Sequence, residues 1–173
     1  PDLYEASQNH TYGLSYYLPY QSVGQGVTYN KYKDRSLTTT SVVFSIGTPK
    51  PDMLTEVPSD KLKQVWDDMK SYNYLMVCDY YPLTDFSLND KAWVALQYDS
   101  PEKGEGCVIC FRRANAPYTK GEFALQAIDP QAKYKVTEID AGVQTTVQGE
   151  QLEKLKVNLE KLESKVIKYK KIN

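Results

Sequence analysis

Two alternating apolar runs, Ala92–Tyr98 and Cys107–Arg112, are separated by the segment DSPEKGEG, with Pro101, Gly104 and Gly106. Strand-like runs split by a Pro/Gly-rich connection read as a β-hairpin. This stretch constrains the rest of the chain, because a hairpin alone is marginally stable and must recruit further strands. Strand-sized runs follow at about 121–128, 132–139, 142–147, 154–159 and 164–170, with turn signals at Asp129–Pro130 and Asp140–Ala141–Gly142. Regular short strands with such punctuation suggest an antiparallel sandwich over the second half. The C-terminal segment is rich in Leu and Lys, which favours helix. Leu155, Val157 and Leu159 nevertheless alternate, as do Ile167 and Tyr169, and two strands are expected there.

The first half reads differently. Thr11–Pro19 is an aromatic-rich strand candidate, and Tyr20–Asp34 reads as loop from its Gly, Ser and Asn content. Leu37–Ile46 is a second strand candidate, with a compact run at Val42–Phe44 that suits burial on both faces. A polar link with three prolines then leads to a helix over Ser59–Tyr72, with Ser59 as N-cap and Asp60 in the first turn. Leu62, Val65, Trp66, Met69 and Tyr72 make its apolar stripe. Residues 74–79 read as a short extended segment. Two strands and one helix cannot close a sheet, so residues 1–78 read as the end of a larger α/β unit, or as a layer leaning on the sandwich.

Charge and cysteine content narrow the function classes. A net charge of −1 gives no electrostatic case for nucleic acid or an anionic membrane. The three cysteines, Cys78, Cys107 and Cys110, do not make a disulfide framework. Cys107 and Cys110 have C-x-x-C spacing, but residues three apart on a strand point to opposite faces, so both are expected in the core. His10 is the one histidine, and no metal or organic cofactor is expected. The 15 tyrosines suit sugar stacking and equally suit strand positions. The carboxylates Asp34, Asp67 and Asp68 are expected to be surface or structural groups; Asp67 and Asp68 are neighbours on a helix and do not face each other. Trp93 is expected as a core anchor of the sandwich.

The segments NHTYGLSYYLPYQSVG, KDRS, DYYPLTDFSLNDKAWVALQYDSPEKGEGCVICFRRANAPY and FALQAIDPQAKYKVTEIDAG resemble the C-terminal part of alpha-galactosidase-like glycoside hydrolases, the melibiase group of glycoside hydrolase family 36 and its relatives. The resemblance implies the last two strands and last helix of a (β/α)₈ barrel over 1–78, followed by a C-terminal antiparallel β-sandwich over 79–173. It implies retaining hydrolysis of a terminal α-galactoside by two carboxylates on earlier barrel strands, so no catalytic residue is assigned in this chain. The expected partner is a galactoside or oligosaccharide, met through the parent enzyme, with a homo-oligomer as an open possibility. Active sites of such barrels lie at the C-terminal ends of the strands. With Thr11–Pro19 as a barrel strand, Tyr20 and Gln21 fall at that end as candidate sugar contacts. The alternative is a carbohydrate-binding sandwich without hydrolase activity, which would show a planar row of exposed aromatics on one face.

Overall fold

In the computed structural model, residues 3–25, 27–44 and 59–172 are described. The second half follows its alternation closely. Strands β3 (Asp79–Pro82), β4 (Trp93–Ser100), β5 (Glu105–Arg112), β7 (Lys133–Glu138), β8 (Val143–Gln148) and β10 (Glu163–Ile172) form one antiparallel sheet. Its order is β3-β4-β5-β10-β7-β8. A second, two-stranded sheet pairs β6 (Lys120–Phe123) with β9 (Leu155–Asn158). A single helical turn, α4 (Gly149–Leu152), precedes β9. The C-terminal segment is therefore two strands, as its alternation indicates, despite its helix-favouring composition.

The central strands β4 and β5 are buried along almost their whole length. Side chains alternate between two cores, as the pleat requires. Val94, Leu96 and Tyr98 with Cys107, Ile109 and Phe111 point to one face; Ala95, Val108 and Cys110 point to the other. Cys107 and Cys110 thus sit in different cores, and burial pushes both thiols up, that of Cys110 to about 12. A thiol so held stays protonated at neutral pH and behaves as a small hydrophobe. The second core is closed by β6, β9 and α4 through Phe123, Leu152 and Val157. Trp93 packs at the edge of that core and is only half-buried, its indole N–H donating to the Tyr118 carbonyl at 3.0 Å. It is a rim residue of that core rather than the central anchor expected from sequence; Ala95, Val108 and Cys110 lie fully buried within it.

The first core is closed by helices. These are α1 (Leu3–Leu14), α2 (Lys31–Ser36) and α3 (Ser59–Lys70), followed by one 3-10 turn at Asn73–Leu75. Tyr12, Tyr32, Tyr72, Leu75 and Met76 reach the sheet from this layer. Burying such side chains contributes roughly 1.5–3 kcal/mol each. The helical layer and the sheet therefore share one core and are not independent bodies.

Several elements of the first half differ from those expected from its sequence. Thr11–Pro19 is not a strand; its first part completes α1. The inward face of α1 is polar, with Glu5, Ser7, Gln8 and Thr11 buried beside Tyr12. Hydrophobic periodicity is silent for such a helix, and the alternation of Tyr12, Leu14 and Tyr16 mimicked period two. The presumed loop over Tyr20–Asp34 holds β1 (Ser22–Gln25) and most of α2. Asn30 caps α2 by accepting from the Lys33 N–H at 3.1 Å. Of the second strand candidate, only Ser41–Phe44, β2, is extended among the described residues; 45–46 and the two-sided burial of Val42–Phe44 lie outside what is described. Residues 74–79 are not extended up to Asp79. α3 begins at Ser59 and ends at Lys70, so Ser59 is its first helical residue rather than its cap. On α3, Met69 is buried, but Trp66 is 39 % exposed with the Lys70 ammonium 4.8 Å above its ring.

β1 and β2 pair in parallel, from Ser22 opposite Ser41 to Gln25 opposite Phe44. Parallel neighbours require a crossover, and α2 lies in it. No third strand joins them among the described residues. No helix among the described residues is long and apolar enough to cross a membrane.

Candidate functional site

The two residues singled out as sugar contacts lie just before β1, at the end where both parallel strands start. Gln21 is buried. Its N–H donates to Thr40 Oγ1 at 2.7 Å, and its Nε2 donates to Ser15 Oγ at 2.8 Å. Ser15 Oγ in turn lies 3.0 Å from Tyr98 Oη in the sheet. Gln21 thus ties the entry of β1 to the end of α1 and to β4. Tyr20 is 75 % exposed. Neither sits at the C-terminal end of a strand, because the strand that placed them there is a helix.

The most developed polar cluster centres on Arg35, which is 2 % exposed. Its Nε and Nη2 donate to the two carboxylate oxygens of Asp68 at 2.9 and 2.6 Å. Its Nη1 and Nη2 donate to the two oxygens of Asp140 at 2.8 and 2.9 Å. The remaining Nη1 proton reaches the Ser164 carbonyl at 3.2 Å. All five donors of the guanidinium are used. Lys31 adds a 2.5 Å bond to Asp140, so two cations face two carboxylates. The cluster joins α2, α3, the β7–β8 turn and β10. Burial pushes the Asp140 carboxyl up, but the bonds from Arg35 and Lys31 together outweigh it and hold the group below the ordinary carboxylate range. A group so depressed is no general acid, and an arginine with every proton engaged has none left for substrate. The cluster is a clamp. The sequence placed Asp140 in a turn and Asp68 on a helix; nothing in it indicated that a buried arginine would join them.

Arg112 and Arg113, adjacent at the end of β5, fasten the layers in opposite directions. Arg113 donates to Gln8 at 3.0 Å and Asn9 at 2.8 Å on α1, and to the carbonyls of Ser87 and Asn89. Arg112 donates to the carbonyls of Leu159 and Ala116 at 3.0 and 2.9 Å. The side-chain period of two explains why neighbours serve opposite faces.

Asp34, Asp67 and Asp99 are engaged as well. Asp34 Oδ1 accepts from the Thr28 N–H and hydroxyl, both at 2.8 Å. Asp67 pairs with exposed Lys63 on its own helix. Asp99 is 4 % exposed, and burial raises its pKa with help from Asp79, against the hydrogen bond that Tyr169 donates. It faces Gly106 across the β4–β5 pair, and its partner Tyr169 is itself bonded to Gln97. A shallow cleft of about 190 Å³ separates α2 from α3, lined by Tyr29, Lys31, Asp34, Lys61, Gln64 and Asp68. Among the described residues no cluster of His, Cys, Asp or Glu has the makings of a metal site, and His10 is exposed on α1. In 79–173, Phe86 and Tyr118 are the exposed aromatics, while Tyr98, Phe111, Phe123, Tyr134 and Tyr169 are buried. The planar aromatic row that a sugar-binding sandwich face needs is not seen among the described residues.

No protein-family model and no curated protein sequence matches the chain. Solved structures do. The GH36 alpha-galactosidase AgaB from Geobacillus stearothermophilus superposes with a TM-score of 0.68 at 16% identity, covering 98% of this chain and 24% of that one. The galactosidase domain of the alpha-galactosidase-sucrose kinase AgaSK gives 0.63 at 16% identity, covering 98% and 25%. A variant of the GH36 alpha-galactosidase AgaA from Geobacillus stearothermophilus, in complex with stachyose, gives 0.59 at 15% identity, covering 87% and 21%. The chain thus has the fold of a portion of GH36 alpha-galactosidases, and it spans about a quarter of the length of the first two.

Proposed function

We propose that this chain is the C-terminal part of a retaining alpha-galactosidase-like glycoside hydrolase. In this reading 1–78 is the end of the catalytic (β/α)₈ barrel and 79–173 is the C-terminal β-sandwich that buttresses it. The observation that carries the reading is the parallel β1–β2 pair. It is flanked by α1 and α3, with α2 in the crossover, and no further strand pairs with it among the described residues. Alternating helices and parallel strands are the grammar of a barrel, and a barrel closes only with eight strands. The likeness in fold to alpha-galactosidases over nearly the whole chain supports it.

Retaining hydrolysis takes a nucleophile and an acid/base about 5–5.5 Å apart. Asp68 and Asp140 are held by Arg35, Asp67 by Lys63, Asp34 by Thr28 and Asp99 by Tyr169, and in this reading the reacting pair belongs to upstream strands. The contribution of this chain is mechanical. The clamp at Arg35, the staple at Arg113 and the shared core hold the last barrel elements against a rigid sheet, which fixes the strand ends that border a sugar. A galactoside or oligosaccharide is the substrate through the parent enzyme. Hydrolysis of a chromogenic α-galactoside tests this. The chain alone gives no turnover, and the polypeptide extended through its upstream coding sequence does. Turnover by the chain alone would overturn the placement of the reacting carboxylates.

A further inference from the structure

β1 ends at Gln25 and α2 starts at Lys31, so the short connection carrying Tyr29 lies at the C-terminal end of β1. In a barrel that end borders the substrate. Tyr29 is 41 % exposed and has a φ of 58°. A bulky side chain in the left-handed region is an outlier that persists only where its surroundings hold it, and such positions cluster at ligand sites. Both neighbours of Tyr29 are held. Thr28 donates its N–H and hydroxyl to Asp34 Oδ1, and Asn30 caps α2 at Lys33.

Tyr29 lines the cleft between α2 and α3. Lys61, Gln64 and Asp68 also line it, at the spacing that puts them on one face of α3. The lining residues all come from α2, α3 and the connection before α2. Asp68 and Lys31 are already bound, to Arg35 and Asp140. Asp34 is different. It is 7 % exposed, and its Oδ2 is buried without a hydrogen-bond partner among the described residues. A buried oxygen of this kind calls for a donor.

The lining chemistry selects the ligand. Lys31 and Lys61 balance Asp34 and Asp68, so neither a cation nor an anion is favoured. A neutral molecule with several hydroxyls fits, because each hydroxyl both donates, as Asp34 requires, and accepts, as Lys61 and Gln64 require. A sugar ring adds a C–H face for the tyrosine. The cleft, at about 190 Å³, is smaller than the roughly 300–1,000 Å³ of sites for drug-sized ligands and suits a single ring.

We propose that the cleft between α2 and α3 is a subsite for one neutral sugar ring, with Tyr29 as its stacking face and Asp34, Gln64 and Lys61 as its hydroxyl contacts. The choice of sugar, galactose, rests on the function proposed above.

Amide chemical-shift titration of the 173-residue chain tests this, with galactose, galactosamine in its ammonium form and galacturonate as probes. Galactose produces saturable shifts at Tyr29, Lys31, Lys61 and Gln64, and the two charged sugars bind more weakly. Tyr29→Asn removes the ring but tolerates the left-handed backbone, and weakens binding about tenfold. Tyr29→Phe keeps the face and retains most of the affinity. Gln64→Ala, at an exposed position on α3, weakens binding roughly fivefold, the scale of one hydrogen bond. Tyr17→Asn, at a more exposed tyrosine outside the cleft, leaves binding unchanged. Circular dichroism checks each fold. The absence of saturable shifts overturns the proposal. So do shifts that Tyr29→Asn and Gln64→Ala leave as they were, and so does tighter binding of either charged sugar. Because the titration uses the chain itself, it is separate from the turnover assay: a chain that binds no galactose, beside an extended polypeptide that hydrolyses galactosides, overturns the subsite and not the function.

Discussion

Replacing Arg35 by alanine is expected to destabilise the chain by about 3 kcal/mol, toward the lower end of the range for breaking a buried ion pair. The reasoning is one of unmatched groups. Arg35 is buried and satisfies two carboxylates and the Ser164 carbonyl at once. Without it, Asp68 and Asp140 repel each other across a gap with Lys31 as the remaining neighbour. Both carboxylates are partly in contact with water, which softens the loss. Arg35→Lys recovers little, because an ammonium cannot donate to two carboxylates in fork geometry. The effect carries a pH signature. The folded pKa of Asp140 is lowered, so its contribution is complete above the unfolded carboxylate value of about 3.9 and disappears as pH falls through the folded value. Urea midpoints for the parent and Arg35→Ala therefore differ most near neutrality and converge below about pH 4.

Gly106→Ala should be at least as damaging, at about 3 kcal/mol or more. A Cβ at Gly106 would stand 2.2 Å from Tyr169 Oη and 2.6 Å from the Tyr98 carbonyl oxygen. The second contact is backbone, so no rotamer relieves it. The first is the centre of a buried network: Tyr169 donates to Asp99 at 2.6 Å and accepts from Gln97 at 2.8 Å. Gly106 lies between Asp99 and Tyr169 in register, and its missing side chain lets the Tyr169 ring lean across β5 to reach β4. An added methyl either expels the ring, leaving Asp99 buried without its donor, or spreads the strands. A drop in thermal midpoint of Gly106→Ala well beyond that of a control such as Gly13→Ala, half-buried on α1 with nothing within 4 Å of its Cβ, is the expected result.

The sandwich was legible because its physics is local. Strands buried on alternating sides write their period into the sequence, and turns such as Asp140–Gly142 mark their ends; Gly142 does adopt a positive φ of 63°. The helical layer was not, for a reason specific to α1. Its buried stripe is Glu5, Ser7, Gln8 and Thr11, and Gln8 at its centre bonds Ser36 on α2 and Arg113 just past β5. Polar burial is invisible to hydropathy and becomes apparent only when the distant partners are known. The same holds for the clamp. Arg35 and Asp140 are 105 residues apart, and no spacing rule connects them. Misreading α1 as a strand then displaced the first parallel strand by some ten residues and carried Tyr20 and Gln21 to the wrong end of the sheet.

The central claim is that β1 and β2 pair only with each other among the described residues, with the start of β1 tied to β4 through Gln21, Ser15 and Tyr98. Native-state hydrogen exchange of the chain reads this directly, since protection follows local stability. The account predicts that backbone amides of 22–25 and 41–44 exchange orders of magnitude faster than those of 94–99 and 106–111. Equal protection of both sets, lost in one cooperative step, would contradict it.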